Sequence, residues 1–85
     1  MLLNSMDQTI YIDNIARNIW KKRKAIRYTQ EMLADRTGLS AQYIYLLENG
    51  KMKNPGVISL MVICKVLNCS LLDLLADKES CEVSA

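Results

Sequence analysis

The 85 residues are enough for one domain, since a chain of about this length buries on folding only about 60% of the surface it exposes when unfolded. The composition, 51% hydrophobic and 24% charged with 3 Gly and 1 Pro, is that of a compact globular domain and excludes disordered and collagen-like classes. The net charge is +2 and there is no His, which removes imidazole acid–base chemistry, Ser-His-Asp and Cys-His pairs and His-built metal sites, so neither an enzyme nor a cofactor is expected.

Residues 1–12 carry no Lys or Arg and only a short apolar run before Asp7, so they lack the basic start and long apolar stretch of a signal peptide and read as an N-terminal extension. Period-2 alternation is confined to Thr9–Ile12, too short for a sheet. Asp13 is suited to cap a first helix over about 14–26, with Ile15, Ile19 and Ile26 at helical spacing. Thr29 caps a second over 30–37, stopped by Gly38, and Ser40 a third over 41–49, stopped by Gly50, because glycine accepts the left-handed conformation that ends a helix. The turn Asn54-Pro55-Gly56 leads to a fourth helix over 57–68 with Val57, Leu60, Ile63, Cys64 and Leu67 on one stripe. Ser70 caps a short fifth through Asp73, Leu74 and Leu75, which closes a domain of residues 13–77 before a polar tail, 78–85.

The longest apolar stretch, residues 57–67, contains Ser59 and Lys65 and is far shorter than the roughly 20 residues that span a bilayer, so no membrane partner is expected. Three thiols, Cys64, Cys69 and Cys81, with no C-x-x-C pair argue against a disulfide framework and against zinc. The expected protein is all-α, built of five helices, reduced and cytoplasmic, with no metal and no evident small-molecule ligand.

Charge is divided along the chain. Residues 17–53 hold nine Lys or Arg against three acids, and the remainder holds two against six, so the middle of the chain presents a basic surface to which a polyanion can bind. A solvated helix face accounts for the same charges. Helices two and three are separated only by Gly38, Leu39 and Ser40, the short glycine-containing turn of a helix-turn-helix. On helix three, Ile44 and Leu47 can face a core together, leaving Gln42, Tyr43, Tyr45, Leu46 and Asn49 turned partly or wholly outward. In a major groove, Gln pairs with adenine, an apolar side chain meets a thymine methyl, and Tyr reaches phosphate; alternatively the two Tyr pack against neighbouring helices.

From Thr29 to Lys51 the chain reads T-Q-x-x-L-A-x-x-x-G-L-S-x-x-Y-I-x-x-L-E-N-G-K. This strongly resembles the Cro/C1-type (XRE-family) helix-turn-helix domain of phage repressors and restriction-modification controllers. The resemblance covers about residues 13–76. It implies a compact five-helix lambda-repressor-like DNA-binding domain, with Thr29, Gln30, Ser40, Ala41, Gln42, Tyr43, Tyr45, Leu46, Asn49, Lys51 and Lys53 in contact with DNA. Gln30 at the start of helix two, and Lys51 and Lys53 after helix three, would meet the sugar-phosphate backbone, unless they are ordinary solvated residues. The resemblance also implies a partly buried Arg23–Glu48 pair linking helices one and three; otherwise Arg23 simply joins the basic face.

The chain departs from the family pattern in three places. Arg27 stands where a Gly commonly ends helix one, so it either takes up a strained conformation or the turn differs. Ala41 occupies a position often held by a polar base-reading residue. Helix four is apolar nearly all round: Ile58, Met61, Val62 and Val66 form a ridge that, with Leu72 at the start of helix five, is expected to pack against a second copy in a homodimer bound to an inverted-repeat operator. The competing expectation is that residues 1–12 cover helix four within one chain. For function, the expectation is a transcriptional regulator, with repression of its own gene as the default; the rival is a protein-interaction module such as an antitoxin or coactivator-like adaptor.

Overall fold

The computed structural model describes residues 5–77; residues 1–4 and the tail with Cys81 lie outside the described residues, as do the side chains of Ser5, Met6 and Asp7. Five helices follow in order: α1 (Ser5–Ala25), α2 (Gln30–Thr37), α3 (Ala41–Glu48), α4 (Val57–Leu67) and α5 (Leu71–Leu75), with no strand among the described residues. α1 packs on α3 and α5, α2 on α3 and α4, and α4 on α5. Ile19, Leu33, Ile44, Leu47, Ile63 and Leu74 are fully buried between them.

Local chemistry accounts for most of the boundaries. The Thr29 hydroxyl accepts the Met32 N–H and the Ser40 hydroxyl the Tyr43 N–H, both at 3.0 Å. Gly38 (φ 77°) and Gly50 (φ 68°) close α2 and α3 in the left-handed region, where a side chain is strained. Ser70 and Asp73 form a reciprocal capping box at α5: the Asp73 carboxylate accepts the Ser70 N–H at 2.9 Å and the Ser70 hydroxyl the Asp73 N–H at 3.2 Å.

α1 differs from the expected helix. It starts at Ser5, two turns before Asp13, because nothing between Met6 and Ile12 breaks a helix; Asp13 lies in mid-helix, with its carboxylate over the Gly50 backbone. Residues 8–11 are exposed on this helix, and of the segment expected to cover α4, residues 1–4 and the side chains of 5–7 lie outside the described residues. Ile26 lies beyond the helix end and is exposed, not part of the core. Arg27 takes the strained alternative, φ 62°, at a cost of about 1 kcal/mol relative to glycine. Around it the Tyr28 N–H donates to the Arg23 carbonyl at 3.1 Å and the Arg27 N–H to that of Lys24 at 3.0 Å, the same reversal that ends α3 and α4.

Candidate nucleic-acid interface

α3 is amphipathic in the sense a recognition helix requires. Ile44 and Leu47 anchor it in the core, while Gln42, Tyr45 and Asn49, at spacings of three and four, share the solvent face. Ala41 and Leu46 are half-buried at its edges. Asn49 donates its amide N–H to the Tyr45 carbonyl at 2.8 Å, which satisfies the end of the helix and fixes the side chain beside Tyr45. The two tyrosines differ: Tyr45 is exposed, whereas Tyr43 is half-buried and its hydroxyl accepts the Gly56 N–H at 3.2 Å, bracing the loop between α3 and α4. Lys51 and Lys53 are exposed on that loop.

One ion pair holds α3 against α1. Arg23 Nε donates to Glu48 Oε2 at 2.6 Å and Nη2 to Oε1 at 2.8 Å, a two-pronged pair with side chains only 8% and 1% exposed. Arg23 Nη1 donates to the Tyr28 carbonyl at 2.6 Å, so the guanidinium also ties down the turn after α1. The hydrogen bond to Glu48, and then its opposite charge, hold the Arg23 pKa above its ordinary value against the opposing effect of burial. Gln30 joins the same cluster by donating to Glu48 Oε1 at 3.0 Å. It is thus engaged within the chain, with one amide hydrogen left over. The exposed N-caps Thr29 and Ser40 stand at the starts of α2 and α3.

A second set of polar contacts was not anticipated from the residues. Asn14 donates to the Leu75 carbonyl at 3.1 Å, and Asn18 donates to those of Leu74 and Ala76 at 2.8 Å. Arg17 adds a bond to Ala76 at 3.3 Å. These satisfy carbonyls at the end of α5 that lack partners within so short a helix. The available signal was a pair of Asn four apart, directly beside the Ile15/Ile19 stripe.

On α4, Ile58 is 69% and Met61 54% exposed, and Leu72 on α5 is 75% exposed; Val62 and Val66 are half-buried, with Val66 against the core. The thiols of Cys64 and Cys69 lie side by side, and burial pushes Cys64 up to about 11. Among the described residues no group of three or more His, Cys, Asp or Glu could hold a metal, and no helix is long and apolar enough to cross a membrane.

Comparison with known proteins agrees with this geometry. Residues 21–74, well over half of the chain, match the family described as helix-turn-helix. The N-terminal DNA-binding domain of SinR from Bacillus subtilis is 30% identical, with a TM-score of 0.71 over 75% of this chain and 93% of that one. The restriction-modification controller protein C.AhdI from Aeromonas hydrophila has a TM-score of 0.69 at 22% identity, over 74% of this chain and 94% of that one. A hypothetical transcription factor, NHTF from Neisseria, reaches 0.84 at 20% identity, over 100% of this chain and 93% of that one, and shares the fold. No match is found among curated proteins. The chain belongs to the Cro/C1-type (XRE) helix-turn-helix family, whose members are DNA-binding transcription regulators and not enzymes.

Proposed function

We propose that the protein binds an inverted-repeat operator as a homodimer, with one α3 in the major groove at each half-site. The observation that carries the dimer is the solvent-facing ridge of Ile58 and Met61 on a helix whose opposite face, Leu60, Ile63, Cys64 and Leu67, is already in the core. Val62, Val66 and Leu72 extend that ridge. A single recognition helix contacts too few base pairs to stand out among competing sites, and a two-fold dimer doubles the footprint.

In this reading Gln42 reads a base edge, Ala41 and Leu46 meet thymine methyls, and Tyr45 and Asn49 flank them. Thr29, Gln30, Ser40, Tyr43, Lys51 and Lys53 grip the backbone and set register. Acting in the cytoplasm, such a dimer represses when its operator overlaps a promoter, its own being the default. Selection of bound sequences from random DNA tests the reading: an inverted repeat with half-site centres about 34 Å apart is expected. Sedimentation completes it. Wild type is expected as a dimer at tens of micromolar, and Met61→Glu, an exposed change that leaves the fold intact, as a monomer with collapsed specific affinity. A monomeric wild type, or a selected site without two-fold symmetry, refutes the dimer.

A further inference from the structure

Between the end of α1 and the start of α2 lies an open hollow of about 430 Å³, bordered by Lys24, Arg27, Tyr28, Thr29, Gln30 and Glu31. Arg23 at its edge is neutralised by Glu48. Lys24 and Arg27 are not: both are exposed, and neither is ion-paired among the described residues. Lys24 rests over the Trp20 ring at 5.9 Å, a cation–π contact that an anion can share. Against these two charges stands the single carboxylate of Glu31, so the hollow is net positive.

The position of Arg27 adds weight to its charge. Its backbone is left-handed, a conformation that Gly38 and Gly50 supply without strain elsewhere in the same chain. A large cation is therefore placed where the fold by itself favours no side chain. When α3 lies in the major groove, the preceding helix crosses the sugar-phosphate backbone, which brings the hollow at the start of α2 against it.

We propose that Arg27 and Lys24 together hold one backbone phosphate of the DNA, a contact additional to those on α2, α3 and the loop after α3. The inference rests on the DNA-binding reading of α3. It makes Arg27 a determinant of affinity that carries no sequence information, since a phosphate is the same at every base pair.

The test is Arg27→Gly. This change relieves the strained backbone and removes the cation, so stability and DNA affinity are expected to move in opposite directions. The melting temperature should hold or rise, while the slope of log K against log salt should fall by about one unit on both specific and random DNA. Between about 50 and 200 mM salt the advantage of wild type should then shrink about 3.5-fold. Arg27→Lys should restore most of the slope, and Glu31→Gln should strengthen binding to all sequences at low salt. An unchanged slope for Arg27→Gly, with wild type binding DNA in a salt-dependent way, overturns the clamp and leaves the DNA-binding reading standing. Absence of binding by wild type overturns both. Competition by inorganic phosphate beyond that of chloride at equal ionic strength, without a change in slope, assigns the hollow to a free anion and also overturns it.

Discussion

Glu48→Ala removes the carboxylate on which three side-chain donor contacts converge: two from Arg23 at 2.6 and 2.8 Å and one from Gln30 at 3.0 Å. Arg23 keeps only the Tyr28 carbonyl and remains a charge in a largely closed site. Breaking a buried pair from one side costs about 3–5 kcal/mol, and two lost charge-assisted bonds at about 1.5–3 kcal/mol each give the same range. A domain of this size is stable by about 4–13 kcal/mol in all, so the variant forfeits a large share of its stability. With a urea slope of about 1 kcal/mol per molar, the midpoint should fall by about 3–5 M. Arg23→Met should cost a similar amount, for it strands the carboxylate instead. The double variant Arg23→Met/Glu48→Ala buries no unpaired charge and should cost well below the sum of the two single losses. Urea melts followed by circular dichroism measure all four corners of the cycle. Losses that add to within about 0.5 kcal/mol refute the reasoning, since uncoupled side chains would then account for the stability.

Lys53→Ala is expected to lower the salt slope of DNA binding by about one unit on every sequence; an unchanged slope removes it from the phosphate contacts. Gln42→Ala should cost about 1–3 kcal/mol on the operator and almost nothing on random DNA, whereas equal losses assign Gln42 to the backbone. The Asp73 carboxylate is held below its ordinary value of 3.8, first by the Ser70 N–H and then by the Ser70 hydroxyl. Its contribution to stability is therefore present above that value and is lost as pH falls through the lower folded one. Asp73→Asn should flatten the acid end of a melting-temperature profile below the ordinary carboxylate value, and an acid limb that does not change shows the box to be idle. Asn18→Leu removes the side-chain donor to the Leu74 carbonyl and leaves that of Ala76 to Arg17 alone, and should lower the melting temperature by several degrees, with α5 losing amide-exchange protection before the rest.

The helices that carry the contact surface were readable because each is bounded by a local signal. Thr29, Ser40 and Ser70 accept backbone N–H groups within their own first turns, and Gly38 and Gly50 need no information beyond their missing Cβ. The start of α1 carried no such signal. Ser5, Asp7, Thr9 and Asp13 are all capping residue types, and with no helix breaker between Met6 and Ile12 the sequence singles out none of them. Gln30 shows the same limit at the site. Its place at the start of α2 follows from Thr29, but its bond to Glu48 requires the end of α3 to arrive 18 residues later. Tyr43, four residues before the buried Leu47, is by spacing the tyrosine nearer the core, but its partner, the Gly56 N–H, is delivered by a loop that no short window contains.

α1 ties the pieces of the surface together through polar groups rather than apolar ones. Its face carries Ile15 and Ile19 into the core and continues to Arg23, which grips Glu48 at the end of α3. The adjoining stripe, Asn14, Arg17 and Asn18, grips the carbonyls at the end of α5. Apolar contacts alone tolerate small slides of one helix on another, whereas a two-pronged ion pair and directed amide bonds are satisfied only in one register. Each half-site of an operator tolerates little error in the position of its recognition helix. In the proposed dimer, that position relative to the two-fold axis depends on α3 being fixed to the α4–α5 unit: the Tyr43–Gly56 hydrogen bond joins α3 to the start of α4 directly, and the ion pair and amide bonds of α1 tie α3 to α5. The residues of the proposed interface on α3 and α4 thus depend in part for their mutual placement on a helix that, in the proposed reading, supplies none of the base contacts.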